Sequence, residues 1–195
     1  MNTVAKPIRV LSDYVGTSVL ADAALVVSYA ILIGVSGQFS FHLPFTPVPV
    51  TAQTFVVLLG ASTLGSIRSI IGTSIFLLVG AAGVPWFAGG TGGVAIFSQP
   101  TFGYIIGFIV SAAVIGVMAA RGFDRKVIGA TSEMIVGNIV IYIFGAGFLA
   151  ISLGLTPAKA IALGVVPFLV GDAVKIALAA VALPSAWKFV ERSTK

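Results

Sequence analysis

The chain has 195 residues, of which 58% are hydrophobic and 9% charged, and its mean hydropathy is +1.12. A water-soluble domain carries roughly 25% charged residues, so this composition excludes a soluble core and describes an integral membrane protein. Cysteine is absent and histidine occurs once, which excludes disulfides, thiolate metal ligands and multi-histidine metal sites.

Apolar stretches fall at about 20–39, 50–66, 69–82, 101–120, 127–150 and 165–187. Because about 20 helical residues cross a bilayer, they predict an all-α integral membrane protein, a six-helix transmembrane bundle with apolar Gly/Pro-rich outer loops. Residues 1–195 then form a single membrane domain, with too little sequence between spans for a catalytic domain. The first stretch follows basic residues but is longer than a signal-peptide core, so it is expected to remain a span. It carries the small pairs Ala24/Ser28 and Ala30/Gly34, which let another helix approach closely, either as internal packing or as a docking face for a partner subunit. The second and third stretches are short. A shallow or broken hairpin around Ser66-Ile67-Arg68-Ser69 keeps a count of four or five full crossings open.

A net charge of +5 invites a nucleic-acid reading, but the distribution of the basic residues argues against it. Under a six-span count Lys6, Arg9, Arg68, Arg121, Arg125, Lys126, Lys188, Arg192 and Lys195 all fall on one side, Lys159 lies opposite and Lys175 is inside. The positive-inside rule then places both termini in the cytoplasm.

The segments expected outside are almost uncharged. In the first, Phe41 to Thr51, Pro44, Pro47 and Pro49 hold the backbone extended, which makes a stiff apolar lid around Phe45; His42 is expected only to end the first span. The second runs from Gly80 to Gly93 and resumes at Ser98 to Tyr104. Its glycines Gly89, Gly90, Gly92 and Gly93 give a backbone that reaches positive φ and approaches a ligand with bare N–H groups. Phe87 and Tyr104 suit the walls of an apolar pocket; Trp86 suits either such a wall or an aromatic belt. No nucleotide motif is present. The glycines at 89–93 lack the G-x-G-x-x-G register, and Gly60 to Gly65 is followed by Ser66-Ile67 where a P-loop requires Lys-Ser/Thr.

In the fifth stretch Glu133 is expected to snorkel or to pair with Arg121 or Arg125. Asn138 suits either an interhelical hydrogen bond or the pocket. Thr156-Pro157 reads as the cap and first residue of a short outer helix, and Pro167 restarts the chain for the last span. That span carries Asp172 and Lys175, three residues apart and therefore on one helix face. A charge at a span's centre costs about 2.5 to 3.5 kcal/mol on insertion scales, so the pair is expected to hold a ligand, the alternative being an intrahelical ion pair that only supports packing. Both lie in the outer half, under the two loops. Such a pocket suits a small amphiphile with an apolar body and a carboxylate or urea-like group.

Together, Pro44 to Thr51, Gly83 to Gly93, Pro100-Thr101-Phe102-Gly103-Tyr104 and Pro167-Phe168 leading to Gly171-Asp172-Ala173-Val174-Lys175 resemble the BioY family of biotin transporter substrate-binding subunits over residues 20 to 190. The resemblance implies a six-helix S component of an energy-coupling-factor transporter in a prokaryotic cell membrane. It would capture biotin outside, and a transmembrane coupling subunit with two cytoplasmic ATPases would drive release inward as the S component topples. The family's Asp-x-x-Lys pair matches Asp172 and Lys175, and its glycine-rich loop matches Gly89 to Gly93. Biotin is then cargo, with no cofactor. Three other readings stay open: an S component for thiamine or riboflavin, a self-sufficient secondary transporter using Asp172 or Glu133 as proton carrier, and a membrane-embedded enzyme acting on a lipid.

Overall fold

A computed structural model describes residues 10–15 and 18–193. Lys6, Arg9 and Lys195, used in the charge argument, lie outside the described residues. A short 3-10 turn, Leu11–Tyr14, precedes α1 (Val19–Gln38), which Ser18 caps by accepting the Ala21 N–H at 3.1 Å. A two-stranded antiparallel ribbon follows, β1 (Ser40–Phe41) against β2 (Val50–Thr51), with Ser40 opposite Thr51 and Phe41 opposite Val50. The proline-rich segment is the loop of this ribbon. Next come α2 (Gln53–Leu64), α3 (Ser66–Ala81), the glycine-rich loop, α4 (Phe102–Ala120), α5 (Val127–Leu153), α6 (Pro157–Gly164) and α7 (Leu169–Ser193).

Among the described residues four stretches are long and apolar enough to cross a membrane: Val19–Gln38, Phe102–Ala120, Val127–Leu153 and Pro157–Ser193. Helices α2 and α3 are also apolar but have 12 and 16 residues, about 18 and 24 Å at 1.5 Å per residue, against a hydrocarbon core of about 30 Å. The chain turns between them one residue earlier than expected. Gly65 takes φ of +80°, and Ser66 to Ser69 form the first turn of α3. The fourth helix crosses this turn closely, since a Cβ on Gly116 would stand 2.1 Å from the Ser66 nitrogen. The same device joins α4 to α5, where a Cβ on Gly107 would lie 2.9 Å from the Ile141 Cα.

One end of the bundle gathers the basic residues. Arg68 pairs with Asp13 at 2.7 Å and Asp22 at 2.8 Å, fastening the start of α3 to the starts of α1 and of the chain's first turn. The Arg125 guanidinium lies 4.4 Å from the Trp187 ring, whose Nε1–H donates to Asp124. Glu133 departs from expectation. It is 0% exposed, its polar neighbour is the buried Ser62 hydroxyl, and no ion pair joins it to Arg121 or Arg125 among the described residues. Its position on the inward stripe of α5, with Ala130, Met134 and Gly137, turns it away from the basic loop.

The expected docking stripe of α1 divides. Ala30 and Gly34 are buried, and a Cβ on Gly34 would meet the Trp86 ring at 2.7 Å; this pair is internal packing, not partner surface. Ala24 and Ser28 are exposed. At the other end of the bundle α6 is capped by Thr156 and opens with Pro157, as expected. Its last carbonyls are held from two directions: Leu163 accepts from the Thr46 hydroxyl of the ribbon loop, and Gly164 from the Tyr104 hydroxyl of α4, each at 2.6 Å.

Candidate ligand-binding cavity

Beneath the ribbon loop is a cavity of about 290 Å³, opening at the end of the bundle opposite the basic residues and lined from α2, α3, α4, α5 and α7. Apolar side chains form most of its wall: Phe76 from α3, Phe87 and Ile96 from the glycine-rich segment, Ile105 and Phe108 from α4, Ile141 from α5 and Phe168 before α7. The ribbon loop contributes His42, Pro47, Val48 and Pro49. Its prolines fix the extended backbone, and the Thr46 hydroxyl accepts the Val48 N–H at 3.1 Å, which closes the turn.

One wall is polar. Asp172 lies in the first turn of α7, where the helix dipole favours a carboxylate, and is 4% exposed. One turn on, the Lys175 ammonium donates to Asp172 Oδ1 at 3.1 Å, to the Thr51 carbonyl at 3.0 Å and to Thr54 Oγ1 at 2.7 Å. The other Asp172 oxygen accepts from the Tyr142 hydroxyl. Thr51 serves twice, because its side chain also accepts the Gln53 N–H at the start of α2.

Of the residues singled out from sequence, Asp172, Lys175, Phe87, Gly92 and Tyr104 line this cavity. Trp86 does not. Its ring packs on Phe76 with centroids 5.6 Å apart, and its Nε1–H donates to the Phe76 carbonyl at 2.9 Å. It therefore supports the wall from behind and does not form a belt. Gly89, Gly90 and Gly93 also lie outside the lining. They have φ of +76°, +69° and +95°, and their loop folds on itself: Phe87 N–H donates to Thr91, Gly90 N–H to Phe87 and Gly93 N–H to Gly80. In this loop glycine makes the turn possible, and two of the N–H groups expected for a ligand are spent within the protein. Phe45, at the tip of the ribbon loop, is 60% exposed. Asn138 lies behind the polar wall, in a separate recess of about 10 Å³ shared with Thr54 and Lys175, where its amide donates to the Met134 carbonyl at 3.1 Å.

Tyr142, Thr54, Gln53, Gln99 and His42 were not singled out as cavity residues from sequence, and His42 lines the cavity in addition to following α1. For Tyr142 a signal existed. It stands four residues after Asn138 and thus on the same face of α5.

The arrangement joins an apolar chamber to one carboxylate and one ammonium that neutralise each other. It can receive an apolar body and hydrogen-bond one polar head. Among the described residues no group of three or more His, Cys, Asp or Glu side chains is placed to hold a metal ion.

Comparison with known proteins is consistent across fold and sequence. A crystal structure of the S-component for biotin from an ECF-type ABC transporter superposes with a TM-score of 0.79, covering 89% of this chain and 95% of that one at 22% identity; this likeness concerns the fold. The biotin transporter BioY of Rhizobium etli is 38% identical over 165 residues, covering 81% of this chain and 84% of that protein. The probable biotin transporter BioY of Pyrococcus horikoshii is 39% identical over 160 residues, covering 82% and 92%. With apolar helices of spanning length and relatives of this kind, the chain is a multi-pass prokaryotic membrane protein. The sequence model of the BioY family matches residues 6–192, nearly the whole chain, and the protein belongs to the BioY family.

Proposed function

We propose that this chain is the biotin-binding S component of an energy-coupling-factor transporter, a transport protein and not an enzyme. It captures biotin in the cavity, and a partner module of a transmembrane coupling subunit and ATPase subunits drives import. The observation that carries this reading is a cavity of about 290 Å³ with apolar walls and a single Asp172/Lys175 pair in a member of the BioY family. Biotin's thiophane body suits the aromatic walls, and its ureido ring and valerate carboxylate suit hydrogen-bonding groups. The missing phosphate-binding motif supports a requirement for external ATPases. Exposed Ala24 and Ser28 on α1 remain the small-residue face proposed for the coupling subunit.

Calorimetry on the detergent-purified chain with biotin, thiamine and riboflavin tests the assignment, together with identification of the molecule that co-purifies. Biotin alone is expected to bind. Tight binding of thiamine or riboflavin without biotin would overturn the reading, and accumulation of biotin in a host lacking coupling subunit and ATPases would favour a secondary transporter instead.

For topology we infer six crossings, α2 and α3 included, with both termini cytoplasmic. The support is that Arg68, Arg121, Lys126 and Lys188 stand at helix ends opposite the cavity. On this cysteine-free background, a cysteine at position 91 or 159 should label from outside intact cells and one at 123 should not. External labelling at 123 would reverse the orientation.

A further inference from the structure

We infer that the basic end of the bundle binds an anionic phospholipid at the turn joining α4 to α5, with its phosphate among Arg121, Lys126 and Lys188 and one acyl chain along the outward stripe of α5. The inference goes beyond the biotin assignment and does not depend on it. Three helices meet at this turn: α4, α5 and α7 all pack on the 3-10 segment Phe123–Arg125. The Arg125 guanidinium, 4.4 Å from the Trp187 ring, brings the last turns of α7 to the junction.

Each helix carries one cation here that the protein leaves unbalanced. Arg121, Lys126 and Lys188 are exposed, and among the described residues none of the three forms an ion pair. The neighbouring cations are engaged, Arg68 by Asp13 and Asp22 and Arg125 by the Trp187 ring. The carboxylates nearby do not neutralise the three. Asp124 is 0% exposed and turned to the Trp187 N–H, and Glu191, one turn on from Lys188, forms no ion pair with it.

Beside the cations the surface is apolar. Phe123, Val127 and Ile128 are exposed, and Ile128, Ile135 and Ile139 follow at spacings of seven and four on the outward face of α5. From Ile128 to Ile139 this stripe rises about 17 Å at 1.5 Å per residue, close to half of a hydrocarbon core of about 30 Å. A soluble anion would satisfy the cations alone. A zwitterionic lipid would cover the stripe while bringing its own positive group to the cations. An anionic phospholipid meets both requirements at once, since basic residues at a membrane surface attract its headgroup.

The full chain is placed in nanodiscs of phosphatidylcholine, with or without phosphatidylglycerol, and its melting temperature is read; lipid retained on the released protein is counted by native mass spectrometry. For wild type, phosphatidylglycerol is expected to raise the melting temperature by several degrees, less so at high salt, and to be retained in preference to phosphatidylcholine. The triple change Arg121→Gln, Lys126→Gln and Lys188→Gln is expected to lose both effects, and Lys159→Gln, which removes a cation at the other end of the bundle, to keep them. No effect of phosphatidylglycerol on wild type, its survival in the triple variant, or an equal loss in Lys159→Gln would each overturn the inference. An equal rise from glycerol phosphate in solution would overturn it too, by assigning the cations to a free phosphate. Should the triple variant not fold, Lys126→Gln alone must lower retention, and unchanged retention there counts against the site in the same way.

Discussion

The two ends of the bundle treat buried charge in opposite ways. At the cavity, Asp172 and Lys175 are tied to Tyr142, Thr54, Thr51 and each other, and every charged atom has a partner. Towards the basic end, Glu133 and Asp124 are each 0% exposed, yet among the described residues no cation pairs with Glu133, whose polar neighbour is the Ser62 hydroxyl, and Asp124 has one unpartnered oxygen. Burial is thus common to both regions, and partnering separates them. In a membrane protein, where an isolated buried charge is costly, the partnered set is the one for which a ligand role is proposed.

The largest effects should follow from breaking the partnered set. Asp172→Asn or Lys175→Met is expected to weaken biotin binding by roughly 2 to 5 kcal/mol, because truncating one member leaves the rest unpaired. Melting curves should show that the chain still folds. The double change Asp172→Asn plus Lys175→Met is the sharper measurement. Near-normal affinity in calorimetry would mean that the pair supports only the helix.

At Glu133 the same operation should run the other way. Replacing a buried carboxyl group that no cation balances by an apolar side chain of similar size removes a desolvation penalty of about 1 to 3 kcal/mol, so Glu133→Met is expected to melt at or above the wild-type temperature while biotin affinity stays unchanged. A fall of several degrees would show that the contact between Glu133 and the Ser62 hydroxyl outweighs the cost of burial.

The smallest effect concerns Asp124, in the loop between α4 and α5. Burial holds its carboxyl above the ordinary value of 3.8, against the Trp187 hydrogen bond and the Arg125 charge, which pull it down. The folded chain therefore holds this proton more tightly than the unfolded chain. Its stabilising contribution is complete below the ordinary value and is lost as pH rises through the higher folded one. Thermal melts from acid towards neutral pH should decline more steeply for wild type than for Asp124→Asn. Equal slopes, or a steeper decline in the variant, would remove Asp124 from the account.

Features that follow from local rules were legible in the sequence. Helix positions came from apolar length, α6 from Thr156-Pro157, and the shared face of Asp172 and Lys175 from their spacing. Features that depend on who lies opposite were not. Ala30 and Gly34 are as small as Ala24 and Ser28, and only the Trp86 ring lying against Gly34 marks that part of the stripe as interior. Trp86 was undecided because an indole suits a wall or an interface equally; its hydrogen bond to the Phe76 carbonyl decides it. The glycines at 89, 90 and 93 were noted for positive φ, but whether their N–H groups face a ligand or their own loop depends on closure over Phe87 and Thr91. Tyr142 is not legible as a cavity residue, because a tyrosine in an apolar span looks like packing until a carboxylate appears opposite it.

The Thr46 hydroxyl on the Leu163 carbonyl is the one side-chain hydrogen bond among the described residues that runs from the loop between the two ribbon strands to α6. A neutral bond of this kind contributes about 1 kcal/mol net, roughly a fivefold bias by Boltzmann weight. Such a latch yields to thermal agitation many times during the stay of a tightly held molecule. The strap is therefore open for a substantial part of the time, and whatever bias the latch adds slows a molecule's entry and its exit alike.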